Sequence, residues 1–206
     1  MACSVEPGTA PGAEPPDPAA VSVLPSPEPA LDECSTENLT VVNPGQLTVG
    51  AVAPLDEPYF VDAKPGNGEG FEAALVYAVA DGLGLRPTQV AWRILGAGEP
   101  LDPAASRVDF LIGRIAVDDS TDVRTYSRSY LQVREPAQEL LDADGQPIPV
   151  DRAPEETAYA LAFAPGDPLV ICVDGVLGEL EADGGLQELA DTWLPAADAA
   201  ASARVS

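Results

Sequence analysis

Apolar and polar residues repeat with two different periods along this chain, and each change of period marks an element. Leu47 to Val52 (LTVGAV) is a short apolar run with the alternation of a strand. A polar loop follows, carrying the adjacent aromatics Tyr59 and Phe60. From Gly70 the period lengthens, and Phe71, Leu75, Val79 and Leu83 fall on one face of a helix. Gly82-Leu83-Gly84 supplies a left-handed stop. Strand, aromatic loop and helix make one β-α unit.

The pattern continues. Gln89 to Ile94 (QVAWRI) reads as a second strand, with Trp92 on its buried face. A Gly/Pro-rich loop, Gly96 to Pro103, leads to a helical turn at Ala104 to Arg107, and Val108 to Ile115 (VDFLIGRI) reads as a buried strand. Crossovers of this length predict an α/β unit with a parallel sheet. Asp118, Asp119 and Asp122 sit in a polar loop, and Ser129 to Arg134 predicts a strand. Leu141 to Val150 reads as a hairpin with Asp144-Gly145 at its tip. Tyr159 to Ala164 predicts one further strand. Asp167-Pro168 opens a helix carrying Leu169, Cys172, Val173, Val176, Leu177 and Leu180 on one face, and Asp183-Gly184-Gly185 closes it. A last helix, Leu186 to Leu194, presents Leu186, Leu189, Ala190 and Trp193.

Composition changes this picture at the two ends. Residues 1–33 are rich in Pro, Ala and acid, almost without aromatics. Such a segment buries too little apolar area to offset its ordering entropy, and its prolines favour an extended tether. Residues 196–206 read as a frayed Ala-rich tail, leaving 34–195 for the folded lobe.

Charge and residue inventory exclude several functions. Asp and Glu number 34 against 10 Lys and Arg, a net charge of −24 that repels phosphate backbones and anionic lipid surfaces. Nucleic acid is therefore not an expected partner. There is no His, which removes the commonest general base and metal ligand and every Ser-His-Asp or Cys-His arrangement. We expect no enzyme, no cofactor and no metal. Asp142-x-Asp144-Gly145 resembles a calcium loop but lacks the later ligand positions, and a turn explains it. The Asp118, Asp119, Asp122 cluster reads as a solvated face. Gly66-x-Gly68-x-Gly70 follows a long loop instead of a strand end, which disfavours a nucleotide role. Glu72 opens the first helix, where the helix dipole favours a carboxylate.

Several motifs, in this order, resemble the extracytoplasmic solute-binding proteins of ABC transporters, of the polar amino-acid type. The residues are LTVG at Leu47, EPYF at Glu57, Gly70-Phe71-Glu72, Gly82-Leu83-Gly84-Leu85 and Asp109-Phe110-Leu111-Ile112-Gly113. Tyr159 to Phe163, Leu177 to Gly184 and Trp193-Leu194 complete the set, over about two-thirds of the chain. The resemblance implies an α/β fold, a single Rossmann-like lobe of the periplasmic-binding-protein type II fold behind a disordered tether. The family inserts a second lobe where this chain has a short connector, residues 131–157. A lone lobe offers an open shelf in place of a cleft.

By the same resemblance Tyr59, Phe60, Gly113 and Arg124 line the ligand site, with Tyr59 toward ligand and Phe60 toward core. The family's carboxylate-clamping arginine falls on Arg124 in one alignment. If Tyr126-Ser127-x-x-Tyr130 anchors the alignment instead, Thr121 takes that place. The resemblance places Cys34 and Cys172 at one end of the lobe as a disulfide, with two buried thiols as the alternative. Met1-Ala2-Cys3 resembles the end of a bacterial lipobox, which implies a lipidated Cys3 and an extracytoplasmic, membrane-anchored protein. The implied partners are a small polar solute such as an amino acid, an ABC permease and the membrane. The alternative is a degenerate lobe acting as a cell-surface interaction or scaffold module.

Overall fold

A computed structural model of the protein describes residues 34–117, 124–134, 140–141, 147–148 and 156–195. Strand β1 (Leu47–Val52) lies inside the main sheet. Two single turns of 3-10 helix, Val61–Ala63 and Pro65–Asn67, lead from it to helix α1 (Phe71–Gly82). Then come β2 (Val90–Leu95), the one-turn α2 (Pro103–Ser106), β3 (Phe110–Ile112), β4 (Thr125–Tyr126), β5 (Leu131–Arg134), β6 (Leu140–Leu141) and β7 (Pro147–Ile148). Strands β8 (Glu156–Tyr159) and β9 (Ala162–Phe163) return the chain to α3 (Leu169–Ala182) and α4 (Gly185–Trp193).

The sheet order is β2-β1-β3-β9-β4. Strand β1 pairs in parallel with β2 and β3, as the crossovers predict. The sheet is nevertheless mixed, because β9 runs antiparallel to both β3 and β4. The single strand expected over Tyr159 to Ala164 is divided between two partners. Residues 156–159 pair with β5 in a separate two-stranded ribbon, while 162–163 enter the main sheet. Ala116 also bridges Tyr159, so the exit of β3 leans on the same ribbon. The ribbon therefore projects past the carboxyl ends of β1 and β3. Strands β6 and β7 pair as a hairpin farther along. The expected Asp144-Gly145 tip, the N-terminal tether, the Asp118, Asp119, Asp122 loop and the C-terminal tail lie outside the described residues.

The strand period sorts the core. Leu47, Val49 and Ala51 face the larger core with Phe110, Ile112 and Phe163, against Phe71, Leu75, Val79, Val173 and Leu177 of the helices. Leu111 and Ala162 point the other way, to a smaller cluster with Leu95, Val108 and Ile115. Trp92 is half-buried, its ring edge-on to Phe60 at 6.3 Å. The end of α1 falls where expected, with Gly84 at φ 74° and the Leu85 N–H donating to Ala80 O at 2.8 Å. Helix α3 starts at Leu169, and Asp167 Oδ1 accepts from the Leu169 N–H at 3.0 Å.

The amino end of the sheet is tied down. Asp109, buried, accepts from the Val42 N–H through Oδ1 and from the Thr48 N–H through Oδ2, both at 2.6 Å. This is the work of the aspartate in the Asp-Phe-x-Ile-Gly motif: it holds the approach to β1 against β3. Thr36 Oγ1 donates to Leu83 O at 3.1 Å, fixing the chain entry to the end of α1. A disulfide joins Cys34 to Cys172, residues 138 apart in sequence. Closing so long a loop restricts the unfolded chain, so Cys172→Ser should lower unfolding stability by about 2–4 kcal/mol. Urea titration of both proteins, with and without reductant, measures this. Equal midpoints under oxidising conditions would mean the bond contributes nothing.

Candidate functional site

In an open α/β sheet the carboxyl ends of parallel strands form the crevice where ligands bind. Here that edge collects the β1 exit, the aromatic loop, the start of α1 and the β3 exit. The chain leaves β1 through cis peptide bonds at Ala53-Pro54 and Glu57-Pro58. Asp56 O accepts from the Tyr59 and Phe60 N–H groups, closing a turn. Pro58 O then accepts from the Phe71 N–H at 3.0 Å, and Tyr59 O from the Glu72 N–H at 3.1 Å. These carbonyls satisfy the first free N–H groups of α1, which has no side-chain cap. The aromatic loop is thus the cap of the helix, and the helix N terminus does not face an open anion site.

Glu72 is fully buried in that first turn. Its Oε1 accepts from the Arg114 backbone N–H at 2.7 Å and from the Tyr130 hydroxyl. Its Oε2 is buried with no hydrogen-bond partner among the described residues. Burial pushes the Glu72 carboxyl above its ordinary pKa, and the bonds from Tyr130 and Arg114 oppose this without cancelling it. Burial, reinforced by the Glu72 carboxylate, raises the Tyr130 hydroxyl as well. One side chain thereby links α1, the β3 exit and the entry to the ribbon.

Arg114 follows Gly113 at the end of β3. Gly113 has φ 138°, and a Cβ there would sit 2.8 Å from Val52 O, so the β3 exit passes β1 too closely for a side chain. Arg114 itself has φ 51°, in the left-handed region. Its guanidinium lies 4.7 Å from the centre of the Tyr59 ring. Its Nη2 donates to Asp56 Oδ2 at 3.2 Å and to Pro54 O at 3.5 Å. The Arg114 side chain is 30% exposed and that of Asp56 56%, so this pair of opposite charges lies on an accessible shelf.

The expected site residues divide. Tyr59 and Gly113 meet at this shelf through Arg114. Tyr59 is 9% exposed, and its ring is edge-on to Phe71 at 6.5 Å. Phe60 turns inward, 1% exposed, against Trp92. Arg124 precedes β4, where Tyr126 stands level with Ala162, and Ala162 with Leu111. Two residues before that level is the amino end of the sheet, so Arg124 lies away from Gly113. Its guanidinium is 5.5 Å from the Tyr126 ring. Thr121 and Cys3 fall outside the described residues. Sequence reasoning missed Arg114 altogether and gave Glu72 only a local role. Adjacency of Arg114 to the Gly of the Asp-Phe-x-Ile-Gly motif was the available signal.

Elsewhere, Gly66, Asn67 and Gly68 line an open groove of about 450 Å³ beside α1 with Tyr77 and Thr88. Tyr77 donates to Gly66 O at 3.1 Å, so the glycine-rich turn packs on the helix flank. Among the described residues no group of three or more His, Cys, Asp or Glu is placed to hold a metal ion.

No protein-family model matches the chain, and no curated protein matches it. Solved structures do. The protein YckB from Bacillus subtilis superposes with a TM-score of 0.56 at 16% identity, covering 75% of this chain and 92% of that one. The substrate-binding protein of an amino acid ABC transporter gives 0.53 at 15%, covering 72% and 98%. ArtJ, the arginine-, lysine- and histidine-binding protein of Geobacillus stearothermophilus, gives 0.52 at 15%, covering 72% and 95%. At such identities the likeness is one of fold: the chain has the periplasmic-binding-protein type II architecture.

The Glu72 cluster sets a pH dependence. A carboxyl with a raised folded-state pKa contributes stability that is full below its unfolded pKa and lost as pH rises through the folded one. Glu72→Gln keeps an acceptor for both donors and removes that loss. Its stability should therefore gain on the parent protein as pH rises above about 4, the ordinary glutamate range. Denaturation at several pH values measures the difference, and a flat difference would refute the raised pKa. Glu72→Ala strands the buried Tyr130 hydroxyl and the part-buried Arg114 N–H and should cost about 2–5 kcal/mol.

Proposed function

We propose that this chain is the extracytoplasmic solute-binding component of an amino-acid-type ABC transporter, holding a small polar solute on the carboxyl-end shelf. The observation that carries the reading is the accessible pair of opposite charges, Arg114 and Asp56, beside Tyr59 at the carboxyl ends of β1 and β3. That is where an open α/β sheet binds ligands. Solved proteins of the same fold include the binding proteins for amino acids named above. Tyr59, Gly113 and Arg114 are the lining residues of this proposal. Phe60 supports them from the core, and Arg124 is not among them.

In this reading the protein delivers its solute to a membrane permease and is held to the membrane through a lipid on Cys3. The Pro-rich segment 1–33 spans the distance to the lobe. Binding needs no catalytic chemistry, which suits a chain without histidine.

One observation favours a second reading. Arg134 pairs directly with Glu156, so the chain returns to the lobe within residues 135–155, too short a stretch for another α/β lobe. A shelf without a facing wall leaves ligand surface wet and weakens binding. A lobe kept as an interaction module at the cell surface would tolerate that.

Titration calorimetry of the full chain against the twenty free L-amino acids separates the two. The solute reading expects heat from at least one, with a Kd in the micromolar range, about −8 kcal/mol. Absence of heat from all twenty favours the module. For the anchor, expression in a lipoprotein-processing bacterium should place the protein in the membrane fraction, and Cys3→Ala should release it.

A further inference from the structure

We propose that the groove on the flank of α1, away from the shelf, is a docking site for the chain's own proline-rich segment, residues 24–29 (Leu24-Pro25-Ser26-Pro27-Glu28-Pro29). The proposal is independent of what the shelf binds.

The groove has the chemistry that takes up proline. Ala74 and the half-buried Tyr77 line it from α1, and two turns complete it, one with Gly66 and Gly68 and one with the exposed Pro87 and Thr88. Tyr77 is held in place: its hydroxyl donates to Gly66 O at 3.1 Å, and its ring packs on Trp92 with centroids 6.3 Å apart. A Cβ at Gly68 would stand 3.3 Å from the Tyr77 ring, so any side chain there would lie against that ring. Open grooves with a fixed aromatic ring receive polyproline segments, whose backbone is already extended and loses little freedom on docking.

The position of the chain entry singles out the occupant. Thr36 Oγ1 donates to Leu83 O at 3.1 Å, so the described chain begins at the carboxyl end of α1. Tyr77 lies six residues before Leu83 on the same helix, a distance of about 9 Å at about 1.5 Å per residue. Pro29 lies seven residues before Thr36, and an extended chain of that length reaches about 22 Å at about 3.1 Å per residue. Residues 24–29 are the proline run nearest to that entry, and the groove is within their reach. A tether this short gives an effective concentration on the order of millimolar, so an intrinsic Kd of about 1 mM keeps about half of the chains docked.

Charge agrees. Residues 1–33 carry acids and no Lys or Arg, and Glu28 falls inside the docking segment. Two of the scarce cations flank the groove. Arg86, exposed, precedes Pro87, and Lys64 precedes the Pro65–Asn67 turn, its only ion pair among the described residues being the exposed one with Asp62 at 3.7 Å. Glu69 turns back onto the Asn67 amide at 3.2 Å. Docking would leave residues 1–23 as the free spacer, a reach of about 70 Å at about 3.1 Å per residue. The groove thus sets how far the lobe stands from whatever holds the amino terminus.

The test is nuclear magnetic resonance on the full-length, nitrogen-15-enriched protein carrying a nitroxide at Ser22→Cys. Cys3→Ser removes the other thiol outside the disulfide. Thermal melts establish that each variant folds. The oxidised label should cut the amide signals of Asn67, Tyr77 and Thr88 by more than about half relative to the reduced label. Thr125 and Tyr126, on the edge strand farthest from β2, should keep theirs. Replacing Pro25, Pro27 and Pro29 together by Ser should restore the groove signals. Thr88→Trp, which fills the groove from an exposed position, should do the same, and Arg86→Glu serves in its place if that variant does not fold. Undiminished groove signals in the labelled parent overturn the inference. Signal loss that survives the proline substitutions overturns it too, since it then reflects only the nearness of the chain entry, and so does loss that survives the groove variant. Signal loss in a mixture of spin-labelled, unenriched protein with enriched, unlabelled protein assigns the groove to the tether of a second copy and overturns docking within one chain.

Discussion

A single buried carboxylate holds the carboxyl end of this lobe together. Glu72 draws the Arg114 backbone and the Tyr130 hydroxyl, 42 and 58 residues away, to the first turn of α1. Removing a carboxyl group from water is expensive, and it persists only where hydrogen bonds offset the cost. Burial holds the group above its ordinary pKa, and the two bonds to its Oε1 oppose this only in part. The geometry of the shelf follows from this anchor. It sets where the β3 exit turns, and hence where the Arg114 guanidinium lies relative to Tyr59.

The two ends of the sheet are held by different kinds of contact. At the amino end Asp109 staples the approach to β1, Thr36 grips the end of α1, and the Cys34–Cys172 bond joins the chain entry to α3. These contacts are part-buried or covalent. At the carboxyl end the contacts nearest solvent are an exposed ion pair and a cation over a ring. Such contacts are individually weak and screened.

The ribbon of β5 and β8 explains how the lobe closes on itself. Strands β4 and β5 lead out past the carboxyl edge, and β8 and β9 lead back, paired along their length. Tyr130 sits where the outward path leaves the sheet, so Glu72 fastens the ribbon to the lobe at its base. Any motion of the ribbon would act on the shelf through that bond.

Much of the fold was legible in the sequence, because it depends on local periodicity. The 71, 75, 79 repeat marks the buried face of α1, and alternation in 47–52 marks β1. Helix stops at Gly84 and Gly184 are local backbone properties, and the structure has φ 74° and 85° there. Other features required tertiary contacts. Nothing within YALAFA says that its first residue pairs with a ribbon and its last with a sheet, since both are extended and apolar. Phe60 and Tyr59 are neighbours of similar chemistry, and only the packing of Trp92 and Arg114 sends one ring inward and the other under a cation. The same holds for the two arginines. The sequence by itself determined that cations are scarce and that one follows a glycine at a strand end. The tertiary structure decided which of them reaches the shelf, because β4 enters the sheet parallel to β3 and leaves Arg124 at the amino end.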